Sequence, residues 1–342
     1  MAPAIRNTVY ILLAIAVVIV FVLQLCLGSV SIPVYEVVAA LTGGGTNPTW
    51  NNIIIESRLP GAIGALVAGA ALSVSGLMMQ TMFRNPVAGP FVLGISAGAN
   101  LGVALLLMAA SAFGFSFLQS ENFMSAWGII LAAGIGSIGI LMLNFFISLR
   151  INDVVAILII GLMLGGGISA FIDILQAFSN KDALRSYVFW TFGSFRNISL
   201  YQSKFLVIIS AIGLLGSTLL SRQMDLLLLG DTYAVSSGLN VKRAKALIII
   251  CTGVLAGVVT AFCGPIGFVG LAVPHMARGM FRTSNHLVLI PACVLLGAVV
   301  CSACNLIAAM PGTDMALPVN SVTSILGAPF VIWIIVKQKR RA

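Results

Sequence analysis

Cys301 and Cys304 stand at CxxC spacing, and His275 and His286 are the only two histidines in the chain. In water such residues could ligate a metal ion or exchange thiols. Both chemistries need more than is present: further ligands, or a thiol in an aqueous setting. All six cysteines, at 26, 251, 263, 293, 301 and 304, fall inside apolar runs. They read as packing residues, and no metal site is expected. His275, with Arg278 close behind it, reads as a structural hydrogen-bonding residue. Serine hydrolysis is excluded, because Ser73 and Ser75 lie mid-run and both histidines are far along the chain. General acid–base work calls for placed carboxylates, and the nine acids are scattered, with Asp153 and Asp173 at opposite ends of one apolar run. The phosphate cradle GxxxxGK[ST] is absent. The chain therefore does not read as an enzyme. Asp173 is the one acid placed to serve ion-coupled transport, and its position near the end of a run reads as a helix-end acid facing water.

The elements that position these residues are membrane spans. Of the 342 residues, 60% are hydrophobic and 8% charged, against roughly 25% charged in soluble domains. Segment 58–99 shows the pattern best. Arg58 and Pro60 open a run rich in Gly, Ala and Ser; Arg84, Asn85, Pro86 and Pro90 close it, and a second such run follows. Glycine costs about 1 kcal/mol against alanine in a helix in water, but in lipid small residues let helix backbones approach closely. At about 20 apolar residues per span, spans fall near 9–28, 61–83, 92–112, 126–149, 154–173, 203–221, 246–263, 265–281, 286–309 and 319–336. The fold class is thus all-α, a polytopic bundle of about ten spans in one membrane domain over residues 1–342. The run at 9–28 reads as a retained first span rather than a cleaved leader.

Basic residues set the orientation. With the N-terminus inside, every Lys and Arg except Arg58, Lys181, Arg185, Arg196 and Lys204 falls on the cytoplasmic side, as do both termini. The net charge of +9 then reflects topology, and no nucleic-acid partner is implied. Two outer excursions, 29–60 and 174–202, each contain a short helix, the second with interfacial aromatics. On the inner side, 222–245 reads as two short helices. The first, from Asp225, ends at Gly230. The second is capped by Asp231 or Thr232 and ends near Gly238. This knob suits a docking element for a cytoplasmic partner. Proline-bent breaks after the second and seventh spans, five spans apart, suggest an inverted repeat.

These features resemble the permease subunits of type II ABC importers, which carry iron–siderophore chelates, haem and vitamin B12. The resemblance rests on Arg58-Leu-Pro60, Gly69 to Leu72 with Ser75, Gly76 and Gln80, Asn85-Pro86-Val-Ala88, Leu93 to Ala99, Gly230/Ala234/Gly238, Gly267 to Arg278 with Pro274 and His275, and Gly327-Ala-Pro-Phe330. It implies a homodimer with a central pathway, two cytoplasmic ATP-binding subunits that carry ATP and Mg, and an outer substrate-binding protein. It also implies location in a bacterial inner membrane. Asp225, Gly230, Asp231, Ala234 and Gly238 would couple to the ATPase. The fifth and tenth spans, with the short helix after the fifth, would line the pathway, where Gly165, Gly166, Asn320 and Ser321 are the small or polar positions. Asn152 and Asp153 would lie at the inner gate, and Arg58 at the docking face. Two family arginines are missing, at Gly61 and within Cys304–Ala309, and Asn320 replaces a common glycine. The competing expectation is an ATP-independent secondary transporter with inverted repeats.

Overall fold

The computed structural model describes residues 3–45, 47–109, 125–151, 153–313 and 316–339. Among these residues the chain is helix and connection, with no strand. The helices are α1 (Pro3–Cys26), α2 (Val34–Leu41), α3 (Pro48–Asn52), α4 (Leu59–Met82), α5 (Ile95–Ala104), α6 (Ala126–Arg150), α7 (Val154–Phe178), α8 (Lys181–Thr191), α9 (Leu200–Leu219), α10 (Ser221–Leu228), α11 (Asp231–Ser236), α12 (Val241–Cys263), α13 (Val269–Phe281), α14 (His286–Ala308) and α15 (Val319–Lys339). A π-helical turn, Ile53–Arg58, joins α3 to α4, and another, Leu105–Ala109, extends α5.

Among the described residues, seven helical segments are long and apolar enough to cross a membrane; Ile95–Ala109, and Val319–Trp333 within α15, are shorter apolar segments. The expected span 92–112 runs past the described residues at its far end. The expected span 265–281 begins later than its apolar run. After Gly264 the chain is non-helical until α13 starts at Val269, leaving 13 helical residues, about 20 Å of rise against the ~30 Å of a hydrocarbon core.

Helix starts follow local chemistry. Side-chain caps come from Ser125, Asp153, Asn180, Asn240 and Asn285, and Ser199 with Gln202 forms a full capping box. Helix α4 is the hub, and it packs on α14, α12, α13 and α9. Its glycines explain the closeness. A Cβ on Gly76 would lie 1.7 Å from the Gly270 carbonyl oxygen, and one on Gly69 would lie 2.1 Å from that of Gly297. Pro274 supplies the reason at Gly270. It has no N–H, so the carbonyl four residues earlier lacks its helical donor and turns its oxygen to the bare Cα of Gly76.

Both breaks are entered through left-handed backbone. Gly94 (φ 68°) precedes α5, and Phe268 (φ 63°) precedes α13. Irregular backbone at membrane depth survives where protein satisfies it. The buried Asn144 amide donates to the Leu93 carbonyl (2.8 Å) in the first break.

Candidate functional site

One end of the bundle gathers the termini of α1, α4, α12, α13 and α14 around α10 and α11. Tyr10 donates to the Val288 carbonyl (2.7 Å) there, and Arg84 and Lys245 reach Asp231. This is the end that the Lys and Arg distribution predicts to be cytoplasmic.

Helix α10 begins at Ser221, immediately after α9, earlier than the expected start at Asp225. Gly230 (φ 107°) turns the chain into α11, and Gly238 (φ 82°) turns it out. At the exit the Gly238 amide donates to the Val235 carbonyl and the Leu239 amide to that of Ala234, a glycine-terminated helix end. Neither Asp231 nor Thr232 caps α11. Gly230 holds that position without a side-chain bond, which frees the Asp231 carboxylate for longer-range work.

The two carboxylates of this pair tie it to the spans. Asp231 meets the largely buried Lys245 ammonium of α12 at 2.6 Å and the more exposed Arg84 at 3.4 Å. Asp225 accepts from both Nδ1 (2.6 Å) and the backbone N–H (3.1 Å) of His286, the first residue of α14. The Nε2 of the same imidazole lies 2.7 Å from Thr81 Oγ1 on α4. Thr81 in turn donates to the Leu77 carbonyl (2.9 Å). A fully buried imidazole therefore joins α10, α14 and α4. Met224, Leu227 and Ala234 are buried against the same bundle, while Leu229, Tyr233 and Val235 point outward at 63%, 52% and 61% exposure. The helix pair thus has one face bonded to the spans and one apolar face left open.

The other motif residues surround this network. Asn85 Oδ1 accepts from the Val87 amide (3.0 Å) and shapes the turn after α4. His275 Nε2 lies 2.7 Å from the Pro86 carbonyl oxygen. Arg278 donates to the side-chain oxygen of Gln80, whose Nε2 donates to the Leu271 carbonyl (3.1 Å). Pro274 is buried within α13. Asp153 caps α7 through the Val155 amide (2.9 Å), and Asn152 lies outside the described residues.

Helix α7 is mostly open. Gly166 would meet nothing within 4 Å, and Gly165 is barely in contact. The close approach on this helix is at Gly161, where a Cβ would fall 2.3 Å from the Val92 carbonyl oxygen. Its triplet neighbours hid it in the sequence. Asp173 is exposed, five residues short of the helix end. Burial pushes the hydroxyl of Tyr187 up to about 12, and the charge of Asp173 adds to that. Ser321 is exposed, whereas Asn320 uses Oδ1 to accept from the Gly267 amide (2.9 Å).

At the opposite end, the Arg58 guanidinium is committed. It donates to the carbonyls of Leu25 and Cys26 (both 2.8 Å) and to that of Val30. This clamps the C-terminus of α1, where a cation suits the helix dipole. Arg196 does the same for α14 through the Ala309 carbonyl (3.1 Å). Arg58, Gly61, Arg196, Asn305 and Ala309 all border one cavity of about 270 Å³. A Cβ at Gly61 would sit 3.0 Å from the Phe195 carbonyl oxygen, so the loop carrying Arg196 packs closely on the first turn of α4.

Comparison with known proteins agrees with this geometry. The description of the FecCD transport family matches residues 16–337. A protein of Methanocaldococcus jannaschii described as an ABC transporter permease is 30% identical over 326 residues, covering 91% of this chain and 90% of the relative. The vitamin B12 import system permease protein BtuC of Klebsiella pneumoniae is 32% identical over 329 residues, covering 96% and 93%. A metal-chelate type ABC transporter solved in an inward-facing conformation superposes with a TM-score of 0.83 at 29% identity, covering 97% of this chain and 99% of that one. With its helical bundle, its apolar spans and a match over nearly its whole length, this chain belongs to the FecCD transport family and is an ABC importer permease.

Proposed function

We propose that this chain forms the translocation pathway of an importer for vitamin B12 or an iron chelate, as a homodimer driven by ATP on two partner subunits. The observation that carries the reading is the two-sided helix pair α10–α11. A docking element must be rigid toward the spans and adhesive toward its partner. Asp225 and Asp231 supply the first property, and exposed Leu229, Tyr233 and Val235 the second. Coupling residues Asp225, Gly230, Asp231, Ala234 and Gly238 then act as two tethers, two hinges and a buried anchor.

The remaining parts follow from the same frame. A second copy covers α7 and α15, whose apolar side chains, such as Met163, Phe178 and Ile325, stand 69%, 74% and 71% exposed. Gly165, Gly166 and Ser321 line the pathway between copies, and Asn152 with Asp153 forms its inner gate. The outer substrate-binding protein docks at the end where Arg58 and Arg196 hold the surface. Ten spans include the short α5 and α13 together with α15, with both termini in the cytoplasm of a bacterial inner membrane. An inverted repeat is supported by packing. The pairs α1–α4, α4–α13, α4–α14, α5–α6 and α5–α7 recur as α9–α12, α12–α5, α12–α6, α13–α14 and α13–α15. Relatives named for vitamin B12 and metal chelates favour a bulky chelated cargo over a bare ion.

Co-purification tests the carrying observation. Y233D and V235D place charges on the open face and should release the ATP-binding subunits while leaving the permease folded. Retention of those subunits by the double variant would refute this face as the docking surface. Uphill uptake by the permease alone, on an ion gradient without nucleotide, would favour the secondary-transporter reading instead.

A further inference from the structure

Three separate elements meet at the end opposite the helix pair. They are the C-terminal end of α8, the non-helical break Gly264–Phe268 between α12 and α13, and the first turn of α15. The Ser194 amide donates to the Cys263 carbonyl (2.8 Å), which joins the end of α8 to the end of α12. The fit there leaves no room for side chains. A Cβ on Gly264 would lie 2.7 Å from the Trp190 carbonyl oxygen, and one on Gly193 would lie 2.9 Å from that of Pro265.

Asn320 touches both partners. Its backbone N–H, one of the helix-start donors that lack a partner within the helix, donates to the Phe192 carbonyl (3.1 Å). Its side-chain Oδ1 accepts from the Gly267 amide (2.9 Å). Gly267 precedes Phe268, a bulky residue held at φ 63°. Such a backbone persists only where its surroundings over-determine it. Gly327 of α15 supplies the other constraint, since a Cβ there would fall 2.5 Å from the Phe268 Cβ. Asn320 thus stands where one residue holds three parts together, its backbone N–H joining the start of α15 to the end of α8 and its side chain reaching the left-handed turn.

We propose that Asn320 is a positioning residue for transport: it pins α8, the α12–α13 break and α15 into one outer body that moves as a unit when the pathway opens. The joint of that body is the extended pair Ser179–Asn180 between α7 and α8. A glycine at this position would keep the backbone bond to Phe192 and lose the bond to Gly267. Asn320 therefore adds a constraint through its side chain alone. This inference rests on the transport reading above, and the test below separates the two.

Amide exchange reads the pin directly on the purified permease, without partners or cargo. N320A and N320G remove the acceptor, whereas N320D keeps an oxygen facing the Gly267 amide. Exchange across 264–269 should rise about tenfold in the first two, the loss of roughly one hydrogen bond, and stay within about twofold of wild type in N320D. In vesicles with the ATP-binding subunits and binding protein, uptake per ATP should fall about fivefold or more in N320A and N320G and be restored in N320D. Unchanged exchange in N320A overturns the pin. Raised exchange with undiminished uptake overturns its role in transport. Failure of the wild-type protein to use ATP would instead count against the transport reading and leave the exchange result standing.

Discussion

Replacing His286 by alanine tests the link between the helix pair and the spans most sharply. The imidazole is 0% exposed and lies 2.6 Å from Asp225 and 2.7 Å from Thr81. The bond to a carboxylate is worth about 1.5–3 kcal/mol and the bond to a hydroxyl about 0.5–1.5 kcal/mol. Truncation also leaves a cavity, which adds to the loss. Two effects soften the total. Asp225 keeps its backbone bond to residue 286 and is partly hydrated, and Thr81 keeps the Leu77 carbonyl. The net is about 3 kcal/mol, roughly a hundredfold on an equilibrium between tethered and untethered states. Transporter reconstituted with its ATP-binding subunits should therefore hydrolyse ATP but import at least about tenfold less cargo per ATP. H286Q, with one donor left, should recover part of the loss. Thermal unfolding and size-exclusion profiles separate this from collapse of the fold. A folded H286A protein with wild-type uptake per ATP would refute the idea that this tether carries the motion.

Other substitutions grade the remaining contacts. D231A strands the largely buried Lys245 and should cost about 2 kcal/mol, between the values for exposed and buried pairs, whereas R84A should cost under about 1 kcal/mol, both read from thermal unfolding. G76A forces a methyl group onto the Gly270 carbonyl and should destabilise by about 3 kcal/mol or more, while G134A meets nothing within 4 Å and should be neutral or mildly stabilising. Equal unfolding temperatures for those two variants would contradict the backbone contact between α4 and α13. G238A has open space around it and should lose only about 1–2 kcal/mol from its left-handed backbone, visible as a small shift in thermal unfolding.

Much of the architecture was legible in the order of residues because its causes are local. Long apolar runs must be buried or face lipid, so α6 and α14 begin and end within a residue of the expected 126–149 and 286–309, while α1 and α12 start five or six residues early. Asn, Ser and Asp caps fix where helices begin, and Gly230 and Gly238 mark the turns of the helix pair because few other residues accept positive φ. The short helix after the fifth run was also legible, from its aromatic and charged mixture. Partner choice was not local. Asp231 looked like a helix cap and is an ion-pair hub. Arg58 stood out as a surface cation, yet its guanidinium clamps the first helix.

The sequence by itself determined that this is a multi-pass helical membrane protein of recognisable family, since hydrophobicity, charge bias and turn residues act through near neighbours. Tertiary structure alone decided which polar groups meet. His286 finds Asp225 across 61 residues and Thr81 across 205, and Asn320 finds Gly267 across 53. In a low-dielectric interior a buried polar group without a partner is costly, and which partner it finds depends on where packed helices bring their ends together, a property no single stretch of chain contains.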